Sequence, residues 1–156
     1  MTKPIPDGYH SATPTLTIKG ASEAIEFYKK AFDAQEINRF PGSDGKSIMH
    51  AEIRIGDSAI MLNDEMPEMG CLSPTSTGGP SSGIYLYLND ADSVFNKAVS
   101  VGAKPMMPMM DGFWGDRVGV ISDPFGHRWS IATRKKEMTI EEMKKAGAEF
   151  MKSQCK

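Results

Sequence analysis

The sequence predicts an α+β fold: two βαβββ modules forming a curved open-barrel sheet with helices outside, plus a C-terminal helix. Three observations predict it. Apolar residues alternate with polar ones along several short segments, the period of strands half-buried in a sheet. Two other segments carry apolar residues at helical spacing. The order strand, helix, strand, strand, strand occurs twice, and Phe27 and Phe95 lie 68 positions apart in the two copies. The same offset pairs Leu16 with Ile84, Ala24 with Asp92 and Lys29 with Lys97.

Residues 1–12 form an N-terminal arm without a period, and His10 within it is read as solvated. Residues 13–63 form the first module. Pro14, Leu16 and Ile18 alternate with Thr13, Thr15 and Thr17, a first strand. Ala24, Ile25, Phe27, Tyr28, Ala31 and Phe32 mark a helix that starts at Gly20 or Ser22. Residues 35–40 read as a short strand, and 41–45 as a turn. Over 47–55, Met49, Ala51, Ile53 and Ile55 take one face, while Ile48, His50, Glu52 and Arg54 take the other. Gly56 and Asp57 turn the chain back into a strand over 58–63. Residues 64–80 are rich in Pro, Gly and Ser and read as a linker or loop.

The second module covers 81–133. Ile84, Leu86 and Leu88 oppose Gly83, Tyr85 and Tyr87 on a strand, and Val94, Phe95, Ala98 and Val99 mark a helix over 91–102. The strand over 104–110 holds Pro105 and Pro108, which places it at a sheet edge. Strands over 117–122 and 127–133 flank the turn Asp123–Gly126. In the tail, 134–156, Thr139 and Glu142 form a capping box. Ile140, Met143, Phe150 and Met151 then make a stripe that docks on this domain or on a second subunit.

Composition excludes several classes. The chain has 156 residues, enough for one domain, with 18 basic and 20 acidic side chains and a net charge of −2. No basic excess drives phosphate binding, so nucleic acid is not an expected partner. No apolar run approaches the roughly 20 residues of a membrane span, and the N-terminus lacks the apolar core of a signal peptide. Cys71 and Cys155 make no framework, which fits a reducing, cytoplasmic setting; Cys71 is expected to be inert and Cys155 to be exposed. Of the twelve methionines, Met106, Met107, Met109 and Met110 crowd together, with Met61 and Met66 read as neighbours in the fold. They suit an adaptable rim, a dimer contact or core filling.

The segments AlaIleGluPheTyrLysLysAlaPhe (24–32), HisAlaGluIleArgIleGlyAspSer (50–58) and PheTrpGlyAspArgValGlyValIleSerAspProPheGlyHisArgTrp (113–129) resemble the vicinal oxygen chelate superfamily. That group includes glyoxalase I, bleomycin-resistance proteins and extradiol dioxygenases, and the match is closest to its PhnB-like subgroup. The resemblance implies paired βαβββ modules and a homodimer. It also implies metal ligands, where present, at positions that read here as Thr13, Met61, Ser81 and Ser130. None is a credible ligand for Zn, Ni, Mn or Fe, so no cofactor is expected.

His50 and Glu52 sit two apart on one strand and share a face. They are read as polar pocket lining or an ion pair, as metal ligands, or as a catalytic acid/base pair. His127 has the opposite parity and is read as structural. The expected ligand-binding set is Thr13, Thr15, Met61, Tyr85, Tyr87, Trp114, Arg117, Arg128 and Ser130, with Thr17 beside them. Trp114 either closes the cavity mouth or packs between modules. Such a surface suits a small, partly aromatic molecule. Three functions follow: a metal-free small-molecule binder, an enzyme of lyase, isomerase or dioxygenase type, and a non-catalytic structural dimer.

Overall fold

Alternating apolar residues build the first sheet. In the computed structural model of the chain, which describes residues 2–154, β1 (Thr15–Ile18) buries Leu16 and Ile18 and turns its threonines to the other face. The helix α1 (Ala21–Phe32) follows. Its first N–H groups are met by Asp64, whose Oδ1 accepts from the backbone N–H of Gly20 at 3.0 Å and Ala21 at 2.8 Å. The strands β2 (Gln35–Pro41), β3 (Ile48–Ile55) and β4 (Ser58–Asp64) complete a sheet of order β1-β4-β3-β2. Only the β1–β4 pair is parallel.

The second module repeats this plan. Its elements are β5 (Gly83–Tyr87), α3 (Ala91–Ser100), β6 (Lys104–Asp111), β7 (Asp116–Ser122) and β8 (Arg128–Arg134), with sheet order β5-β8-β7-β6. Asp90 caps α3 by accepting from the Ser93 N–H at 3.0 Å. The proline-bearing β6 lies at the edge, with register shifts on both sides of Met107. The two four-stranded sheets remain separate ladders rather than one closed barrel, and the helices lie outside them.

The modules pair within one chain. Trp129 of β8, fully buried, packs on Tyr28 and Phe32 of α1 with ring centroids at 5.2 and 4.8 Å. Phe125 meets Phe27 edge-on at 6.3 Å. Beneath them Asp123, 4% exposed, accepts from the Tyr28 hydroxyl at 2.7 Å and from Trp129 Nε1 at 2.9 Å. Its other oxygen accepts from the N–H groups of Phe125 and His127, both at 2.9 Å. A buried carboxylate with four donors is fully compensated and ties both modules to one point.

The segment between the modules is built rather than loose. A 3₁₀ turn (Pro67–Met69) and the short helix α2 (Pro74–Thr77) occupy it. The Glu65 carboxylate accepts from the Ser73 hydroxyl at 2.7 Å, the Ser76 hydroxyl at 2.7 Å and the Ser73 N–H at 3.0 Å. These bonds hold its carboxyl down to about 2.

One expected face reverses. Ile48 is 4% exposed and Met49 56%, the opposite of simple alternation. The pairs Phe40–His50 and Pro41–Ile48 leave Met49 as the extra residue of a β-bulge, which flips the strand's entry.

The final helix α4 (Ile140–Gln154) starts with the expected capping box: the Glu142 N–H donates to Thr139 Oγ1 at 3.2 Å, and the Thr139 N–H donates to the Glu142 carboxylate at 2.7 Å. Of the expected stripe, Phe150 docks on Phe113 of this chain at 5.6 Å, while Ile140 and Met151 stay exposed. Cys155 lies outside the described residues. No described helix is long and apolar enough to cross a membrane.

Candidate functional site

The inner face of the first module is set by β-strand parity. His50, Glu52 and Arg54 of β3 point away from the buried Ala51, Ile53 and Ile55. Glu52 lies across from Met61, and Met61 lies across from Thr15, so the three form one row. The His50 Nε2–H donates to Glu52 Oε1 at 2.9 Å. The other carboxylate oxygen accepts from the Tyr9 hydroxyl. These two bonds, His50 first, hold the Glu52 carboxyl below its ordinary range and keep it charged at neutral pH. Donating to that carboxylate in turn raises the Tyr9 phenol. Beside them on β2, the buried Asn38 Oδ1 is left without a partner.

The N-terminal arm roofs this face. The Gly8 carbonyl accepts from Arg54 Nη1 at 2.9 Å, which pins the arm next to the Tyr9 contact. Between arm and sheet lies a cavity of about 390 Å³ lined by Pro4, Ile5, Tyr9, His10, Thr13, Glu52 and Met61 among others. His10 is exposed, as expected, and lines the rim of this cavity and of a second one at the module seam.

The second module presents a different arrangement. Asp116, 3% exposed, accepts at one oxygen from Tyr85 OH at 2.9 Å, Tyr87 OH at 2.8 Å and Trp114 Nε1 at 2.8 Å. Burial, with Asp116 adding to it, pushes the Tyr85 phenol up to about 12. The polar ends of all three aromatic residues are thus committed to the protein, while the Tyr85 and Tyr87 side chains remain largely exposed. Trp114 folds back over Gly112, whose missing Cβ would lie 2.7 Å from the ring. It is anchored, not a free flap over the mouth.

Arg117 requires a correction. It does not face the concave side: its guanidinium pairs with Asp92 on α3 at 2.9–3.2 Å and with Asp111 at 3.5 Å. Strand parity explains this, because Gly119 on the same face of β7 abuts the Phe95 ring of α3. Arg128 and Ser130 do line a concave cavity, together with Tyr85 and Ser81. His127 donates from Nε2 to the Thr17 carbonyl at 3.0 Å and bridges the modules, a structural role. Of the expected ligand set, Thr13 and Met61 lie under the arm beside Glu52, Tyr85, Tyr87 and Trp114 gather on Asp116, and Tyr85, Arg128 and Ser130 line a separate cavity.

For a metal ion, the donor set does not fit. His50 and Glu52 bond to each other, and among the described residues no group of three His, Cys, Asp or Glu converges. Tyr9 and Asp116 are site residues that the sequence pattern does not single out. The TrpGlyAsp stretch was a usable signal for Asp116, since a carboxylate beside an indole N–H at a strand start invites capture. Nothing in the aperiodic arm signals Tyr9.

Comparison with known proteins agrees with the architecture. Residues 10–131 match the family model Glyoxalase/Bleomycin resistance protein/Dioxygenase superfamily. The Mycobacterium bovis protein Mb0911c is 43% identical over 137 residues, covering 86% of this chain and 90% of its own. Among solved structures, the Arabidopsis thaliana gene product At5g48480 superposes with a TM-score of 0.63 at 22% identity, covering 81% of this chain and 99% of its own. FosX, a fosfomycin resistance protein from Listeria monocytogenes, superposes with a TM-score of 0.62 at 17% identity, covering 86% and 97%. The chain belongs to the glyoxalase/bleomycin resistance protein/dioxygenase superfamily.

Proposed function

We propose that the protein binds a small, partly aromatic molecule in the arm-roofed cavity of its first module, without a metal ion. One observation carries this reading: between the arm and the sheet lies an open cleft of about 390 Å³ whose lining combines apolar Ile5, Pro6 and Met61 with the charged Glu52 carboxylate and Thr13. Such a volume lies in the range of small-molecule pockets, roughly 300–1,000 Å³. Apolar walls take a flat hydrophobic body, and Met61 adapts to its outline. Glu52 takes an N–H or cationic group, because the charged carboxylate only accepts. A family that includes bleomycin-resistance proteins makes sequestration the natural use of such a site.

A thermal-shift screen of aromatic amines, neutral aromatics and aromatic acids tests it. Aromatic amines are expected to raise Tm, and Glu52→Gln is expected to remove the effect. No stabilising compound, or hits indifferent to Glu52→Gln, overturns the reading.

A second reading rests on the 2.9 Å His50–Glu52 bond. The bond brings an imidazole nitrogen and a carboxylate within proton-transfer distance on the inner face, the arrangement of a general acid/base. It requires turnover that His50→Ala abolishes with the fold intact; unchanged turnover rejects it. We also propose a homodimer, supported by apolar Ile37, Phe40 and Met49 exposed on the β2–β3 edge. Sedimentation as a monomer at all concentrations overturns that.

A further inference from the structure

We propose that the free edge of β5 is a docking site for an extended peptide of another protein, which adds to the four-stranded second sheet as one more strand. The site is separate from the cavity under the arm and uses backbone groups rather than the Glu52 carboxylate. It lies in the seam where β5 faces the hairpin between β3 and β4.

The two halves of the seam are not equivalent. The parallel ladders set Thr15 opposite Met61 in one module and Gly83 opposite Arg128 in the other. In that register Tyr85 corresponds to Thr17, and Ile60 to His127. The Thr17 carbonyl, on the outer edge of β1, accepts from His127 Nε2 at 3.0 Å, which closes its half. The Ile60 side chain has no donor, and the Tyr85 carbonyl has no partner among the described residues. In place of a bond this half holds a slot. Cavities of about 230 and 510 Å³ run along β5 and share Ser58, Tyr85 and Leu86 in their linings.

The backbone says what fills it. The Leu88 N–H donates to the Ala132 carbonyl at 2.8 Å, so Ile84, Leu86 and Leu88 turn their backbone groups toward β8. Alternate residues of a parallel strand turn theirs the other way, so the N–H and C=O of Tyr85 and Tyr87 face the slot. Two donor–acceptor pairs two residues apart, about 6.6 Å along the strand, are answered in full by another strand. The other edges are guarded, as sheet edges usually are. The strand β6 carries Lys104, Pro105 and Pro108, and β2 carries Glu36, Arg39 and two register shifts. The β5 sequence GlyIleTyrLeuTyr (83–87) has no proline and no charge. Its occupant has β-branched residues that pack across from the exposed Tyr85 and Tyr87 rings. A basic residue in it meets Asp57, which lines the slot and makes no ion pair among the described residues.

The test is amide hydrogen exchange followed by NMR on the full chain. The probe is an acetylated, amidated octapeptide of alternating valine and threonine that begins with one lysine. It is expected to slow exchange at the Tyr85 and Tyr87 amides and to leave the Leu86 amide, already in the ladder, unchanged. The same peptide N-methylated at every residue is expected to bind weaker by about tenfold or more. Tyr87→Pro removes an edge donor where proline is tolerated and is expected to weaken binding by a similar factor, while Tyr87→Phe keeps it. Equal binding of the two peptides, no saturable binding of the unmethylated one at millimolar concentration, or protection elsewhere overturns the site. Tyr85 and Tyr87 amides already slow in the protein alone, and slower as its concentration rises, assign the edge to a second copy and overturn the peptide partner.

Discussion

Replacing Tyr28 by Phe removes a single oxygen from the joint between the modules. The ring is fully buried, so its packing on Trp129 at 5.2 Å and Phe32 at 6.0 Å survives the change. What is lost is the 2.7 Å bond from the hydroxyl to the buried Asp123 carboxylate. Hydrogen bonds to charged groups contribute about 1.5–3 kcal/mol, and a buried acceptor that loses one donor gains no water in exchange. Asp123 keeps Trp129 and two backbone N–H groups, which places the expected loss near the lower half of that range, about 2 kcal/mol. For a domain of this size that corresponds to a Tm lower by about 4–8 °C. Urea unfolding followed by tryptophan fluorescence and by circular dichroism measures it. The transition is expected to stay single, since one carboxylate serves both modules. A loss below about 0.5 kcal/mol, or two separated transitions, refutes the claim that Asp123 couples the modules.

Other consequences follow from the same geometry. Gly119→Ala is expected to cost about 1–3 kcal/mol, because its Cβ would lie 2.8 Å from the Phe95 ring and 2.6 Å from Met109 Sδ; urea unfolding indistinguishable from wild type contradicts that contact. Glu65 has a carboxyl depressed in the fold from 4.5 to about 2, so its contribution is present above about 4.5 and is lost as pH falls toward 2. Glu65→Gln is therefore expected to narrow the gap between stability at neutral and at acid pH. An unchanged gap contradicts this. Tyr85 has the opposite sign: its phenol is raised from 10 to about 12, so its contribution is full below pH 10 and is lost as pH climbs to about 12. Absorbance near 295 nm is expected to show a late tyrosinate that Tyr85→Phe removes, and an undiminished late step would place it elsewhere.

Much of the fold is legible because its signals are local and repeated. The 68-residue offset, the prolines in β6 and the capping box of α4 each follow from short-range pattern. The candidate site is less legible because it depends on register and on distant contacts. A single bulge at Met49 reverses the entry of β3, and no pattern in the sequence marks it. The irregular Gly112–Gly115 approach hides the phase of β7 from the sequence, so Arg117 reads as inward; the Phe95 contact at Gly119 shows the opposite phase. Tyr9 reaches Glu52 across 43 positions from an aperiodic arm. Trp129 reads as an ordinary apolar strand residue, yet it is the side chain on which α1 of the other module rests.

The central claim is that a small molecule binds against Met61 and Glu52 beneath the arm. Methyl-labelled methionine NMR tests it most directly, with Met61 assigned by Met61→Leu and the best aromatic amine from the thermal screen as titrant. The account expects the Met61 methyl to shift and saturate with the ligand, while the exposed Met106 and Met151 stay still. A saturating ligand that leaves Met61 unmoved contradicts it.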